Sequence, residues 1–228
     1  MEIVNIEARS KKKLSLSEEV ISKLPKKLCI FTTIQHIDSI KKIKTQLEAS
    51  GRKVVLKKTR HSTYRGQLLG CGIDKIEGDF DAFLFMGEGM FPPKALLLNN
   101  EKEVICWNPN TKKTIVLGKK EREDFLKDKK KRISCFLRGR KIGLLVSTKP
   151  GQYYKPVEKI IKNNFSSKQI YWFIGDTINI ESLEDFNFID CFVNCACPRI
   201  AIDNPSNKKK VIDISEVLEL VASENVKN

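Results

Sequence analysis

Seven cysteines against two histidines concentrate the available chemistry of this chain on sulfur. Cys191, Cys195 and Cys197 stand within seven positions in "DCFVNCACPRIAID" (190–203), at the end of an apolar run. Cys71 sits between glycines in "YRGQLLGCG" (64–72), where the missing Cβ on either side lets another body approach closely. The spacings match no zinc ribbon, and there is no C-x-x-C, P-loop or G-x-G-x-x-G. With only His36 and His61, a His-rich zinc site or a Cys/His nucleophile pair has few candidates. "GEGMFPP" (87–93) puts two glycines around a carboxylate, a pattern common to many unrelated turns.

Each thiol also has a packing account. A lone Cys-Gly is more often a buried thiol in a tight turn, and cysteine is among the most buried residue types. Residues two apart on a strand point the same way, so Cys191, Cys195 and Cys197 share a face only if one strand runs through all three. Cys191 reads as packing. The direction of Cys195 depends on where the strand breaks.

The elements that must position these residues follow an α/β grammar. "LCIFTT" (28–33), "KVVLKK", "FDAFLFMG" and "EVICWNP" read as strands. "DSIKKIKTQLEASG" reads as a helix, with Asp38 as N-cap, Ile40, Ile43 and Leu47 on one face, and Gly51 closing it. Before them, "EIVNIEARS" resembles the end of a strand and "SLSEEVISKLP" a short helix stopped by Pro25. The grammar then repeats. "RKIGLLVST" (140–148) echoes "KKLCIFTT" (26–33), and "DCFVN" (190–194) echoes "DAFLF" (81–85) at a similar offset. Between them stand a Pro-started helix, "KPVEKIIKNN", and the strand "QIYWFIGD".

The expected fold is therefore α/β: two related domains, each a mainly parallel sheet flanked by helices. The expected boundaries are 26–118 and 141–228, joined by a basic segment over 119–140, with 1–25 preceding them. In parallel sheets ligand groups gather beyond the carboxyl ends of the strands. That rule selects Thr32, Thr33, Gln35, Gly87, Glu88 and Gly89 in the first domain. In the second it selects Ser147, Thr148, Lys149, Gly151 and Gln152, then Cys195, Cys197, Pro198 and Arg199.

The 228 residues are 41% hydrophobic and 31% charged, with a formal charge of +14. Eleven Lys/Arg against four Asp/Glu fall in 119–141, half of that excess. Such a balance predicts an anionic partner or environment without saying which. "MEIVNIEARSKKK" lacks the apolar core of a signal peptide, and no apolar stretch approaches a membrane span. A cytoplasmic, reducing compartment is the expectation, where free cysteines are core fillers, metal ligands or redox groups.

Taken together, "FTTIQH" (31–36), "GQLLGC" (66–71), "GEGMFPP" (87–93), "LLVSTKPGQ" (144–152) and "VNCACPRIAID" (193–203) occur in the order found in the diphthamide-synthesis enzymes. The resemblance runs from about residue 3 to the C-terminus, and it lies in the combination rather than in any one motif. It implies three related α/β domains, each giving one cysteine to a 4Fe–4S cluster, with S-adenosylmethionine held at the iron that lacks a protein ligand. It implies transfer of a 3-amino-3-carboxypropyl radical to C2 of a histidine ring in elongation factor 2. Carried over residue by residue, Cys71 and Cys197 are cluster ligands. Ser147, Thr148, Gln152 and Arg199 stand in family motifs near the junction of those domains, and some of them are expected to hold the amino and carboxylate groups of S-adenosylmethionine.

Departures from the family accompany these matches. Nothing resembles the first-domain motif Asp-x-Cys-Tyr-Gly-Ala-Cys-Asp, and "VNIEARS" resembles the final strand of that domain. Pro92 stands where the family often has histidine, and Cys195 where threonine is usual. The expectation is the C-terminal part of a split enzyme, working with a separate chain that supplies the third cysteine, as a homo- or heterodimer. A non-catalytic partner subunit of a full-length relative is the first alternative. A basic RNA- or ribosome-binding protein is the second, resting on charge alone, with Lys127, Lys129, Lys130, Lys131 and Arg132 as its densest run.

Overall fold

A computed structural model of the chain describes residues 6–71, 73, 75–150, 152, 156–202 and 210–225. The chain divides into two compact units, Met1–Glu123 and Asp124–Asn228.

In the first unit α1 (Glu18–Ser22) starts at Ser17, whose Oγ accepts the Val20 N–H at 3.4 Å. β1 (Lys27–Thr32), α2 (Ile40–Ala49), β2 (Lys53–Val55), β3 (Ala82–Met86), α3 (Phe91–Asn99), β4 (Val104–Trp107) and β5 (Thr114–Leu117) follow. The sheet order is β2-β1-β3-β4-β5. The first four strands are parallel and β5 runs antiparallel to β4. Residues 28–31 and 83–86 are fully buried because both faces of the central strands are covered, and their sequences are accordingly unbroken apolar runs. Ile40, Ile43 and Leu47 line one side of α2 and pack on Leu28, Ile30 and Leu84. Gly51 takes φ +81° and donates to Glu48 O at 3.0 Å, the left-handed closure that glycine adopts without strain.

The second unit begins within α4 (Lys119–Arg138), which fills most of the basic segment. β6 (Lys141–Ser147), α5 (Val157–Asn164), β7 (Gln169–Gly175), β8 (Cys191–Asn194), α6 (Arg199–Ile202), β9 (Val211–Asp213) and α7 (Ile214–Asn225) complete it. The order β7-β6-β8-β9 is wholly parallel and repeats the β2-β1-β3-β4 order of the first unit. The echo between "KKLCIFTT" and "RKIGLLVST" therefore marks topologically equivalent central strands. Gly143 sits where a Cβ would come within 2.6 Å of the Phe192 ring, so its absence lets Phe173 and Phe192 meet at 5.3 Å across that face.

Two polar devices hold α4 within this unit. Arg132 forms a two-pronged pair with Glu216 of α7 (3.1 and 2.6 Å), with side chains only 10% and 7% exposed. The buried Lys168 ammonium donates to Phe136, Leu137 and Gly139 carbonyls at 2.6, 3.2 and 2.7 Å, satisfying the orphan acceptors at the helix end.

Several local readings are corrected. Asp38 is not an N-cap: Ile34–Ser39 forms a 3₁₀ turn, Ser39 precedes α2, and the Asp38 carboxylate accepts from Arg9 at 2.6 Å. β5 and β9 carry no strong pattern in the sequence. Three of the four β5 residues are exposed, and β9 spans only three residues, so neither shows the apolar periodicity of its neighbours. Residues 6–10 form no strand, and the rest of that predicted strand, residues 1–5, lies outside the described residues.

Breaking the buried pair should cost far more than breaking an exposed one. Arg132→Met or Glu216→Gln is expected to lower stability by about 3 kcal/mol in urea titrations. Lys129→Ala, at the more exposed pair with Glu219, should cost less than about 1 kcal/mol.

Candidate functional site

The carboxyl ends of the second sheet converge on a cavity of about 560 Å³. From β6 the chain leaves toward β7 on one side, and from β7 it crosses to β8 on the other, so a crevice opens above β6 at the reversal of strand order. Ser147 ends β6, and Lys149 and Gln152 follow it. Asp176 and Thr177 follow β7, and Cys197 and Arg199 follow β8. All of these line the cavity.

The rim is tied together by its own polar groups. Ser147 Oγ donates to Asp176 O (3.1 Å) and accepts the Lys149 N–H (3.2 Å), joining the β6 and β7 loops. The Lys149 ammonium lies 4.0 Å from Asp176 Oδ2 and 3.4 Å from Thr177 Oγ1. Thr148 is exposed beside the cavity rather than on its wall, and its N–H donates to Gly175 O at 3.0 Å. Two cations and a carboxylate on one wall suit a ligand carrying both an ammonium and a carboxylate.

Asn194 decides how the cysteines of "CACPR" divide. It is fully buried at the last position of β8. Its Oδ1 accepts the Ala196 N–H at 3.2 Å, while Nδ2 donates to Cys197 O at 2.9 Å and Asp213 Oδ2 at 2.8 Å. The strand therefore ends one residue before Cys195. Cys195 is still anchored by its N–H on Leu145 O (2.9 Å), and its thiol, 2% exposed, joins the apolar core. Burial pushes that thiol up to about 12, with Asp213 adding to the rise. The turn delivers Cys197 to the cavity instead. Cys191 packs in the same core as Cys195.

In the first unit a loop folds back onto β1. Thr32 N–H donates to Gly66 O and Leu68 N–H to Thr32 O, both at 2.8 Å. This fixes 66–68 at the carboxyl edge of the sheet and leads to half-buried Cys71. Gly70 has φ +82°, and a Cβ there would lie 2.4 Å from the Phe91 ring at the start of α3. The glycine before Cys71 thus serves both conformation and close approach. "GQLLGC" and "GEGMFPP" meet at this contact. On the same edge, His36 is 3% exposed with both ring nitrogens lacking hydrogen bonds among the described residues, and Nε2 is 3.7 Å from Glu88 Oε1. Burial lowers the His36 pKa below its ordinary 6.5 against the opposing pull of Glu88.

The structure thus gathers Ser147, Gln152, Cys197 and Arg199 at one cavity and sets Cys71 at the carboxyl edge of the other unit's sheet. Among the described residues neither Cys71 nor Cys197 sulfur makes a hydrogen bond, whereas the Cys106, Cys191 and Cys195 thiols donate to backbone carbonyls. Each of these half-exposed thiols, taken by itself, is of the type that suits thiolate ligation of iron. Asp176 and Thr177 were within reach of the strand-end rule, since they directly follow "QIYWFIG". The turn-holding role of Asn194 had no signal in the sequence.

The model of the family described as putative diphthamide synthesis protein matches residues 3–226. The chain is 29% identical over 208 residues to 2-(3-amino-3-carboxypropyl)histidine synthase of Pyrococcus horikoshii, covering 88% of this chain and 58% of that protein. It is 31% identical over 201 residues to the enzyme of the same name from Methanocaldococcus jannaschii, covering 84% and 58%. The fold is similar to the crystal structure of Dph2 from Pyrococcus horikoshii with a 4Fe-4S cluster, with TM-score 0.74 and 29% identity. That match covers 90% of this chain and 59% of that one. The chain thus spans under two thirds of the length of these relatives.

Native alkylation at pH 8, read by peptide mass spectrometry, is expected to label Cys71, Cys135 and Cys197. Cys29, Cys106 and Cys195, buried and each pushed up to about 12, should react only after denaturation. Asn194→Ala should cost about 2 kcal/mol by leaving Asp213 and the turn amide without their partner. His36 gives a pH signature. The unfolded chain takes up more protons than the folded one as pH falls below 6.5, so stability should drop there. His36→Gln should flatten that decline in thermal melts.

Proposed function

The chain belongs to the diphthamide synthesis protein family, and from that premise we propose that it provides Cys71 and Cys197 as thiolate ligands of a 4Fe–4S cluster. The cavity beside Cys197 then receives the methionine end of S-adenosylmethionine. The activity proposed is transfer of the 3-amino-3-carboxypropyl group to a histidine of elongation factor 2. The observation that carries this reading is the opening of Cys197 into the same cavity as Ser147, Gln152 and Arg199.

The chain's own residues have definite tasks in this reading. Arg199, through its planar fork, and Lys149 bind the carboxylate of the methionine moiety. Asp176 takes the ammonium, and Ser147 and Gln152 orient it. Asn194 holds the turn that presents Cys197, and Phe91 against Gly70 holds the loop that presents Cys71. When bound, the cluster supplies the electron for cleavage of the bond from sulfur to the methionine γ-carbon. Burial of Cys195 in the apolar core supports Cys197, rather than its neighbour, as the ligand in this motif.

The third thiolate comes from outside these 228 residues. Relatives named subunit 1 of the synthase, as in Encephalitozoon cuniculi, support an arrangement of more than one chain. Co-expression with a polypeptide carrying the family's first-domain cysteine motif tests whether that thiolate is on a separate chain.

Anaerobic reconstitution of such a complex should give an iron–sulfur absorption band that Cys71→Ala and Cys197→Ala each abolish and Cys195→Ala leaves in place. With reductant and S-adenosylmethionine, methylthioadenosine is the expected product. Recovery of 5′-deoxyadenosine instead, or a band indifferent to both cysteines, would overturn the reading. Arg199→Met should weaken S-adenosylmethionine binding about tenfold or more while leaving the band intact.

A further inference from the structure

At the opposite, amino-terminal edge of the second sheet lies a larger cavity of about 1190 Å³. Lys130, Lys131, Arg138, Arg140, Lys141 and Lys210 line it, and the acidic residue on its wall is Asp190. That carboxylate is already engaged, accepting the Arg140 and Lys141 N–H groups at 2.8 and 2.9 Å. Apart from Lys131 with Asp128, none of the six cations forms an ion pair with a described residue. Cys135 of α4 lines the same cavity, half-buried, with Cys191 of β8 directly behind it in the core.

The two thiols are brought together by the way α4 ends. Gly139 lies where a Cβ would be 3.1 Å from both Asp190 Cβ and Cys135 O, so the helix end sits tight against the start of β8. Cys135 Sγ is 3.3 Å from Asp190 O, and Cys191 Sγ is 3.3 Å from Lys210 O. The groups facing Cys135 are Cys191 and Asp190 at the start of β8, Lys168 before β7 and Lys210 before β9. Hydrogen bonding to Cys191 lowers the Cys135 pKa to about 7, aided by Lys210 and Lys168 and opposed by burial and by Asp190. Cys191 is raised in turn, so one thiol is the nucleophile and the other its protonated partner.

We propose that Cys135 and Cys191 are a reactive dithiol, and that the basic cavity admits a small disulfide bearing carboxylates as their co-substrate. The Cys135 thiolate attacks one sulfur of that disulfide, forming a mixed disulfide and releasing one thiolate, which takes up the proton Cys135 lost. The Cys191 thiol, deprotonating as it attacks, then displaces the second thiol from Cys135. The net change is two protein thiols oxidised to one internal disulfide and one small disulfide reduced to two thiols, so electrons and protons balance. The site uses neither Cys71 nor Cys197, and the proposal holds whether or not the cluster reading does.

The test uses the full chain, reduced and metal-free, exposed to oxidised glutathione or to cystamine, its cationic counterpart, with cysteines followed by peptide mass spectrometry. A Cys135–Cys191 disulfide is expected, forming about tenfold faster with oxidised glutathione at low salt, with the difference shrinking as salt rises. Cys191→Ser should stop at glutathione attached to Cys135. Because that substitution lies in the core, Arg140→Glu with Lys130→Glu, at exposed residues of the cavity wall that are not among the groups facing Cys135, provides a surface test, and it should slow glutathione and speed cystamine. Reaction at Cys71 and Cys197 with Cys135 untouched, or equal rates for the two disulfides, would overturn the proposal.

Discussion

Parallel pairing of one buried strand between two others is the constraint on which the second unit turns. With β6 flanked by β7 and β8 in the same direction, every connection must cross a face of the sheet, and the carboxyl ends collect on one edge. The reversal of strand order above β6 leaves a crevice that no crossover can fill. Ser147, Asp176 and Cys197 meet there because they end or follow adjacent strands, though far apart in the chain. The first unit repeats this order and closes its far edge with antiparallel β5.

The same residue type has acquired several environments. Cys29, Cys106 and Cys195 are apolar filling, with burial holding their thiols protonated at any physiological pH. Cys71 and Cys197 stand on loops that a glycine and an asparagine shape, with sulfurs that make no hydrogen bond among the described residues. Cys135, half-buried on α4, packs against the core cluster that holds buried Cys191. What separates these fates is backbone geometry over one or two residues. Asn194, by ending β8, sends Cys195 inward and Cys197 out.

The excess positive charge is also divided by geometry. Much of α4 carries its lysines in solvent, some paired with nearby carboxylates at exposed positions where such contacts contribute little. Arg132 and Lys168 instead turn inward, one to Glu216 and one to the carbonyls that end the helix. Others gather with Lys210 and Lys141 around the amino-terminal cavity. A count of charges over 119–141 contains none of this.

The sequence by itself determined the α/β class, the doubled unit and most strands. Buried parallel strands must be unbroken apolar runs, and α2 must show its face at helical spacing. It also pointed to the strand ends where Ser147, Gln152, Cys197 and Arg199 are found. β5 and β9 were illegible because exposure in one and shortness in the other remove the period, and Asp38 looked like a cap until Arg9 bound it. Only tertiary structure decided which cysteine of "CACPR" faces the cavity and brought Cys135 of a basic helix against Cys191 of a strand. It also drew Asp176 and Lys149 to the same rim. These outcomes depend on where a strand stops and on which distant backbone lies alongside, and neither is encoded in the spacing of letters.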